Sequence, residues 1–466
     1  MPVSTGGSPA RMYTRAQRYG GIQAGLPGGL APDYSAYVTR NSWGTAGGGM
    51  GANYDASQYL SDHPNIDIQR LQVQWSSVHT ASNTFNWTGG CDGHIQRRLD
   101  AGIQVLAQMS YGGVWVTGST HSDQFYVPGI NTDGTTTAAF DTFLAQYVKA
   151  WKAFVRRYHY GALGADGIAG SDNASFITST KTVRFGEVWN EQNDVLFWHR
   201  VDGQNTGANH ATPYAKMLAA VYDAIKDIAP NFFVGIGGMC NCTDANVAAG
   251  KGMKAPDFVA EACEYWSANY TKHDDGWNNI PADFCCFHPY FGGRRGGTLP
   301  KAVYYVDDDI KQNTFCNDMV AIHNVLDSYG WGSMLMWSTE MSVSWRTDAV
   351  DGYGLTSPSA PGIYSPGEAR TYLRKCHRYW TGLDPWPSGG TYKLKWTYGK
   401  DATHPNGQPQ LGPMIFFEMR DLADTLNAGT VNDNHGLHIS STGADPSARK
   451  ALAGSANDPN DEVDTW

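Results

Sequence analysis

The feature that most constrains the fold is a repeated alternation of strand-like and helix-like segments from Asn65 onward. Residues 66–75 alternate apolar and polar side chains, as a half-buried strand does, whereas residues 140–158 carry apolar side chains at helical spacing. Repetition of such pairs predicts a parallel sheet flanked by helices, and about eight pairs are enough to close the sheet. We therefore predict an α/β protein folded as a (β/α)8 TIM barrel with long loops after its strands.

The individual elements follow from the same two periodicities. The predicted strands cover residues 66–75, 103–109, 182–189, 232–236, 283–287, 333–337 and 413–419, with an earlier strand somewhere in 19–43. The predicted helices cover residues 94–101, 140–158, 214–228, 255–270, 303–329, 366–379 and 446–452. In this order the strand at 182–189 is the fourth, and the strand at 333–337 is the seventh.

The length of 466 residues fits one elaborated barrel, since such barrels run beyond about 400 residues as a single unit. No Ser- or Pro-rich linker divides the chain. We predict a catalytic barrel over 19–455, an N-terminal extension over 1–18 and a flexible tail over 456–466. Residues 384–412 are rich in Gly, Pro and Lys and are predicted to form an insertion before the last strand.

Charge and hydropathy exclude two classes of partner. The net charge is −10 and the 34 basic residues are scattered, so no concentrated basic face is expected for nucleic acid. No apolar run approaches the roughly 18 residues that a membrane span needs. Residues 1–24 lack the apolar core of a secretory signal, which leaves cytoplasmic, virion-associated and leaderless-export locations open. The oligomeric state is not encoded in any pattern that we recognise.

Eight cysteines are present, and two local pairs could bind a metal or form a disulfide. These pairs are Cys240 with Cys242, and Cys285 with Cys286. No spacing matches a zinc ribbon or finger, and buried cysteine often behaves as a small hydrophobe. The sequence therefore favours free or locally paired thiols over a metal, and no cofactor is expected.

Two glutamates stand where a barrel of this kind places its chemistry. Active sites lie at the carboxyl ends of the barrel strands. Glu191 follows the fourth predicted strand, and Glu340 follows the seventh. Either residue alone could cap a helix or pair with an arginine, but two carboxylates at these strand ends would face one another across the barrel mouth.

Glycoside cleavage requires such a pair. One carboxyl group protonates the leaving oxygen while the other attacks the anomeric carbon, and a separation of roughly 5 Å marks the retaining route. We therefore predict Glu191 as the acid/base and Glu340 as the nucleophile of a retaining glycoside hydrolase.

The segment Trp189-Asn190-Glu191 resembles the fourth-strand signature of clan A glycoside hydrolases, where Asn precedes the acid/base. Within that clan, residues 185–193 and the following Phe197-Trp198 resemble glycoside hydrolase family 39, and the likeness extends over roughly 35–455. This sequence departs from the family pattern at Gln192, where the family has Pro. The accessory β-sandwich of some members is also not recognisable.

The resemblance implies roles for further residues. Arg70 corresponds to the clan's arginine beneath the nucleophile, and His288 and Tyr290 to a pair that lines the sugar site. Asn190 is expected to bond the 2-hydroxyl of the sugar. The family acts without a cofactor on β-xylosides, uronides and some microbial exopolysaccharides, so a carbohydrate substrate is expected while its sugar and linkage stay open.

Aromatic residues provide candidate stacking platforms for the sugar. Trp337, Trp345 and Trp115 are the candidates, although core packing explains each of them equally well. Trp115 lies on the long loop after the third strand, which favours a groove for a polysaccharide over a pocket for chain ends. Glu187 faces the same side as Glu191 but deeper, and we interpret it as a buried partner of Arg184 or Arg70.

Two other functions stay open. A catalytically silent carbohydrate-binding or particle-associated protein could keep the barrel, but a binder needs neither Glu191 nor Glu340. A metal-dependent hydrolase would need His and Asp clusters at the strand ends, and His288 has no such neighbours in the sequence.

Overall fold

The structure is a computed structural model that describes residues 36–38, 43–46, 67–163, 172–204, 210–240, 242, 247–270, 280–289, 314–332, 334–341, 380 and 411–417. The strands are β1 (Trp43–Ala46), β2 (Ile68–Gln74), β3 (His79–Ala81), β4 (Thr84–Phe85), β5 (Gln104–Ser110), β6 (Phe185–Asn190), β7 (Phe233–Met239), β8 (Phe284–Phe287), β9 (Leu335–Ser338) and β10 (Leu411–Phe417). The helices are α1 (Trp75–Val78), α2 (Trp87–Gly90), α3 (Asp92–Asp100), α4 (Val114–Thr117), α5 (Ala138–Tyr158), α6 (Ala211–Ile228), α7 (Ala255–Asn269) and α8 (Thr314–Ser328).

Eight strands close into one parallel barrel in chain order, with β3 and β4 left outside as an antiparallel pair. The closure is made by β1, which pairs with both β10 and β2. Helices α3, α5, α6, α7 and α8 connect successive strands from β2 to β9. The carboxyl ends of all eight strands therefore meet at one mouth, as the barrel architecture requires.

Helix α5 shows why these connections fold as they do. Phe140, Phe143, Tyr147, Trp151 and Phe154 recur at helical spacing and are fully buried. They form one apolar stripe that packs on the outside of the barrel. Such burial removes the stripe from water and fixes the helix against β5 and β6.

The barrel interior below the mouth is filled by what we call the apolar layer. Its members are Val38, Ile68, Leu106, Phe185, Phe233, Phe284, Cys286, Leu335, Trp337 and Ile415. Phe284 stacks on Trp337 with ring centroids 4.3 Å apart, and Phe185 stacks on Phe233 at 5.4 Å. Side chains along a strand return to the same face every second residue, so the next inward positions after this layer lie closer to the mouth.

The predicted fold class is confirmed. The predicted fourth and seventh strands are β6 and β9, the fourth and seventh of the barrel. The first strand was placed too early, since β1 covers Trp43–Ala46 and only touches the end of the predicted window. The pair β3–β4 was not predicted, and residues 411–412 of the predicted insertion belong to β10.

Several predictions fall outside the described residues. These are the extension 1–18, the tail 456–466, most of the insertion 384–412, the helices at 366–379 and 446–452, and the first part of the helix at 303–329. The domain boundaries therefore stay predictions. Among the helices that the structure describes, none combines the length and apolarity needed to cross a membrane.

Candidate active site

The two predicted catalytic carboxylates meet at the barrel mouth. Glu191 directly follows β6, Glu340 lies two residues after β9, and both are buried. One oxygen of each carboxylate and a ring nitrogen of His288 all lie within 4.8 Å of one another. His288 Nδ1 is 3.0 Å from Glu191 Oε1 and 3.7 Å from Glu340 Oε2. His288 thus links two groups that are far apart in the sequence.

Arg70, on β2, binds the carboxylates of the site from below. Its guanidinium donates to Glu340 Oε1, to both oxygens of Glu187 at 2.6 and 3.0 Å, and to Asn190 Oδ1 at 2.7 Å. Burial by itself lowers the pKa of Arg70, but the Glu187 and Glu340 carboxylates outweigh that effect and raise it. Arg70 is therefore a permanent cation that orients three side chains. We call Arg70, Glu187, Asn190, Glu191, His288 and Glu340 together the carboxylate site.

Glu187 is a structural member of the carboxylate site. It is fully buried on β6, where it accepts from Arg70 and, at 3.3 Å, from the Thr339 hydroxyl. A carboxylate removed from water in this way needs charged and hydrogen-bonding partners. The predicted pairing with Arg70 is confirmed. The alternative partner, Arg184, instead lies over the Tyr37 ring, 4.4 Å from its centroid.

Gly238 on β7 allows a close approach of the backbone to the site. Its N–H donates to Glu187 Oε1 at 2.6 Å, and its carbonyl accepts from the Glu191 N–H at 2.8 Å. A Cβ at this position would lie 2.1 Å from His288 Nε2. Any larger residue would therefore displace His288 or the backbone that supports Glu191.

The end of β6 is bent so that two consecutive side chains reach the site. Adjacent residues of a regular strand face opposite sides. Here Trp189 and Glu191 adopt positive φ values of 70° and 48°, and the side chains of both Asn190 and Glu191 contact other members of the carboxylate site. Positive φ in non-glycine residues is uncommon and tends to cluster at functional sites. The buried Trp189 indole anchors the bend by donating to the Phe197 carbonyl at 2.8 Å.

Tyr111 is a site residue that the sequence did not reveal. It follows β5 directly, has φ of 68°, and its hydroxyl accepts from Asn190 Nδ2 at 2.8 Å. Burial, reinforced by the nearby Glu191 charge, raises the pKa of Tyr111. Its position at the end of the third barrel strand was the available signal, since side chains there face the mouth.

The aromatic residues predicted to contact the sugar differ in where they lie. Trp337 was a candidate platform with core packing as the alternative, and core packing is the correct interpretation because its ring is fully buried in the apolar layer. Trp115 is 37% exposed on α4, and its Nε1 donates to the His79 carbonyl at 2.8 Å. It therefore presents an anchored aromatic surface to solvent. Tyr290 and Trp345 lie outside the described residues.

Two groups of side chains in the described part of the chain could hold a metal ion. One is Glu191, His288 and Glu340, and the other is Asp194, Cys240 and Cys242. The first group corrects the expectation that His288 has no suitable neighbours. Arg70 bonds to Glu340 in the same group, however, and its fixed positive charge opposes binding of a second cation there.

Solved structures that resemble this chain include several glycoside hydrolases. A family 39 glycoside hydrolase from the gut symbiont Bacteroides cellulosilyticus WH2 gives a TM-score of 0.46 at 14% identity, covering 91% of this chain and 64% of that one. A monomeric β-xylosidase from Caulobacter crescentus CB15 gives 0.46 at 15% identity, covering 89% of this chain and 67% of that one. A psychrophilic family 10 endo-β-1,4-xylanase gives 0.43 at 11% identity, covering 91% and 98%.

The chain spans less than two thirds of the length of the first of these structures. No protein-family model and no curated protein matches the chain. The fold assignment rests on the strand order and closure of the barrel itself.

Proposed function

We propose that this chain is a retaining glycoside hydrolase that cleaves β-glycosidic bonds in an oligo- or polysaccharide. The observation that carries the proposal is the juxtaposition of Glu191 and Glu340, with carboxylate oxygens within 4.8 Å of each other at the ends of the fourth and seventh strands. Retaining enzymes hold their carboxyl groups about 5–5.5 Å apart, whereas inverting enzymes need roughly 6.5–9.5 Å to admit a water molecule.

The reaction proceeds in two balanced steps. In the first, a Glu340 oxygen attacks the anomeric carbon while the bond to the leaving oxygen breaks and Glu191 gives that oxygen its proton. In the second, water attacks the anomeric carbon, Glu191 takes a proton from the water, and the bond to Glu340 breaks. Both carboxyl groups return to their starting states, and no cofactor takes part.

The partners of the two glutamates support this division of roles. Glu340 accepts from Arg70, a permanent cation that orients the attacking oxygen and balances its charge. Glu191 is instead positioned by His288, whose Nδ1 lies 3.0 Å from Glu191 Oε1. Asn190 is held between Arg70 and Tyr111 and would bond a sugar hydroxyl next to the reacting carbon. Trp115 would stack on a sugar unit farther along the bound polysaccharide.

The test is product release from a panel of β-linked xylans, mannans, glucans, galactans and their oligosaccharides. Wild type is compared with Glu340→Gln, which keeps the side-chain shape and removes the nucleophile, and with Glu264→Gln, an exposed glutamate on α7 as the matched control. We expect Glu340→Gln to lose at least about three orders of magnitude in kcat and Glu264→Gln to match wild type. Equal cleavage by all three proteins would refute the proposal.

A catalytically silent carbohydrate-binding or particle-associated barrel is the alternative. It predicts that wild type binds a glycan of the panel without cutting any. A metal-dependent hydrolase is favoured only by the grouping of Glu191, His288 and Glu340. These possibilities separate in a trapping experiment with 2-deoxy-2-fluoro glycosides that carry a good leaving group. Only the retaining mechanism leaves a covalent sugar adduct on Glu340, detectable by mass spectrometry of the digested protein.

A further inference from the structure

A second cluster of reactive side chains lies next to the carboxylate site and takes no part in the mechanism above. Cys240 and Cys242 follow β7, and Asp194 lies in the turn after β6, three residues beyond Glu191. All three side chains are buried. The two sulfurs are 3.8 Å apart, and Asp194 Oδ2 lies 3.6 Å from Cys240 Sγ and 3.9 Å from Cys242 Sγ.

These three distances lie within about 0.3 Å of those across one face of a tetrahedral zinc site. Zinc binds thiolate sulfur at about 2.3 Å and carboxylate oxygen at about 2.0–2.2 Å. Tetrahedral angles then separate two sulfur ligands by about 3.8 Å, and a sulfur and an oxygen ligand by about 3.6 Å. A disulfide, in contrast, would need the two sulfurs to approach to about 2.05 Å. The spacing of Cys240 and Cys242 therefore fits a shared ion better than a bond between them.

The surroundings hold the donors in this arrangement. Asp194 Oδ1 accepts from the Leu196 N–H at 2.9 Å, which turns Oδ2 toward the sulfurs. Asn193 Oδ1 accepts from the Cys240 N–H at 3.0 Å, while its Nδ2 donates to the Cys240 carbonyl at 2.8 Å and lies 3.7 Å from Cys242 Sγ. An N–H group directed at a sulfur stabilises the thiolate form that metal binding needs.

Gly252 provides the space beside Cys242. A Cβ at position 252 would lie 2.8 Å from Cys242 Sγ and 2.7 Å from the Asn193 carbonyl oxygen. The backbone at this point also pairs with the turn that contains the third donor, because Asp194 and Gly252 form an antiparallel bridge. Only glycine fits this approach without displacing a donor.

We propose that Asp194, Cys240 and Cys242 bind one zinc ion, with a fourth donor completing the tetrahedron. The ion would fasten the turn that carries Glu191 to the end of β7, a structural role that does not depend on the proposed glycosidase activity. Each sulfur–zinc bond forms on a thiolate, so binding of Zn²⁺ releases to solvent the protons that the thiols carry.

The full chain, reduced and stripped of metal with a chelator, is titrated with Co²⁺ as a spectroscopic probe and then with Zn²⁺. We expect one Co²⁺ per chain, a near-ultraviolet thiolate-to-cobalt absorption band, and loss of that band as Zn²⁺ displaces the cobalt. Zinc binding should release protons. The double variant Cys240→Ser with Cys242→Ser should lose the band and stoichiometric zinc. Asp194→Asn, which keeps both sulfurs, should weaken zinc binding by at least about tenfold.

The matched control is Cys263→Ser with Cys285→Ser, two buried thiols elsewhere in the barrel that should leave zinc binding unchanged. Folding of each variant is checked by circular dichroism. If the double cysteine variant fails to fold, the wild-type zinc stoichiometry, cobalt band and proton release decide the question. The proposal is overturned if the reduced, folded wild type binds neither ion stoichiometrically. It is overturned equally if the protein isolated without reductant contains a Cys240–Cys242 disulfide and no zinc.

Discussion

The carboxylate site and the apolar layer are built by the same strands, one inward position apart. On β2 the inward side chain changes from Ile68 to Arg70, and on β6 it changes from Phe185 to Glu187. The side chains of both regions are buried and have little contact with solvent. The apolar layer is stabilised by ring packing, whereas the carboxylate site depends on every charge having a partner.

This difference separates the expected effects of substitution. A change in the apolar layer removes packing but leaves no charge uncompensated. A change in the carboxylate site removes a reacting group or isolates a buried charge. Substitutions in the apolar layer should therefore lower stability and spare activity, whereas those in the carboxylate site should lower activity, and should lower stability too where they isolate a buried charge.

The largest effects are expected at Glu340 and Glu191, and the difference between them sharpens the comparison within the carboxylate site. Glu191→Gln should lower kcat by about 10²–10⁴-fold on substrates with poor leaving groups, because these groups need a proton. On aryl glycosides with good leaving groups, bond cleavage should be much less affected. Glu340→Gln should lose both activities. A uniform loss for Glu191→Gln on both substrate types would contradict the acid/base assignment.

Removal of Arg70 tests whether the carboxylate site depends on charge pairing. Arg70→Met should lower the free energy of unfolding by about 3–5 kcal/mol, since it leaves the fully buried Glu187 without its cation. Arg184→Met, which removes an arginine just before β6 and outside the carboxylate site, serves as the control. Urea unfolding of both variants measures the difference. A fully stable Arg70→Met protein would mean that Glu187 needs no countercharge.

Phe284→Ala tests the apolar layer. We expect a loss of about 3–5 kcal/mol in the free energy of unfolding, because the substitution leaves a cavity beside Trp337. The kcat per folded molecule should stay within a few-fold of wild type. Parallel urea unfolding and active-site titration measure the two quantities. Loss of kcat as large as that of Glu191→Gln would break the separation between the two regions.

His159 shows how burial among apolar side chains changes the pKa of a group that can gain a charge. It is buried against Phe232, and burial lowers its pKa to about 4, partly offset by its contact with the Val183 carbonyl. The unfolded chain takes up a proton near pH 6.5, whereas the folded chain resists until about pH 4. The contribution of neutral His159 to the free energy of unfolding is thus fully present above pH 6.5. It is lost as the pH falls toward 4, by up to about 3 kcal/mol.

His159→Asn should flatten this part of the pH profile relative to wild type. Thermal unfolding between pH 7 and pH 4 provides the measurement. An unchanged slope in His159→Asn would show that other groups cause the acid destabilisation.

The smallest effect is expected for Tyr111→Phe. It removes the hydroxyl that accepts from Asn190 and should lower kcat/KM by about tenfold, equivalent to one hydrogen bond. Tyr147→Phe, which also deletes a buried hydroxyl but one bonded to the Met109 carbonyl, is the control. Equal losses of kcat/KM in both variants would indicate that Tyr111 acts through stability alone.

The barrel and the positions of Glu191 and Glu340 were predictable because they depend on local patterns. Alternation and helical spacing repeat over many residues, and a residue that ends a barrel strand faces the mouth. The first strand was misplaced because β1 has only four residues in a Gly-rich region and shows no alternation. Its position is fixed by pairing with β2 and β10, which are distant in sequence.

The finer geometry of the site was not predictable for a related physical reason. Trp337 lies only three residues before Glu340, yet strand alternation directs its ring into the apolar layer. The positive φ values at Trp189 and Glu191 fall on residues that rarely adopt them, so no turn signal announces the bend. The contacts of His288 join carboxylates from two other strands and exist only once the barrel is closed.

The stereochemistry of cleavage tests the central claim most directly, because it reports the distance between the two carboxylates as a chemical outcome. The anomer released first from a cleaved β-linked substrate is observed by proton NMR before mutarotation. We predict that the first product is the β anomer, formed by two displacements through Glu340. Initial release of the α anomer would contradict the account, because it requires a single displacement by water and carboxylates farther apart than those of Glu191 and Glu340.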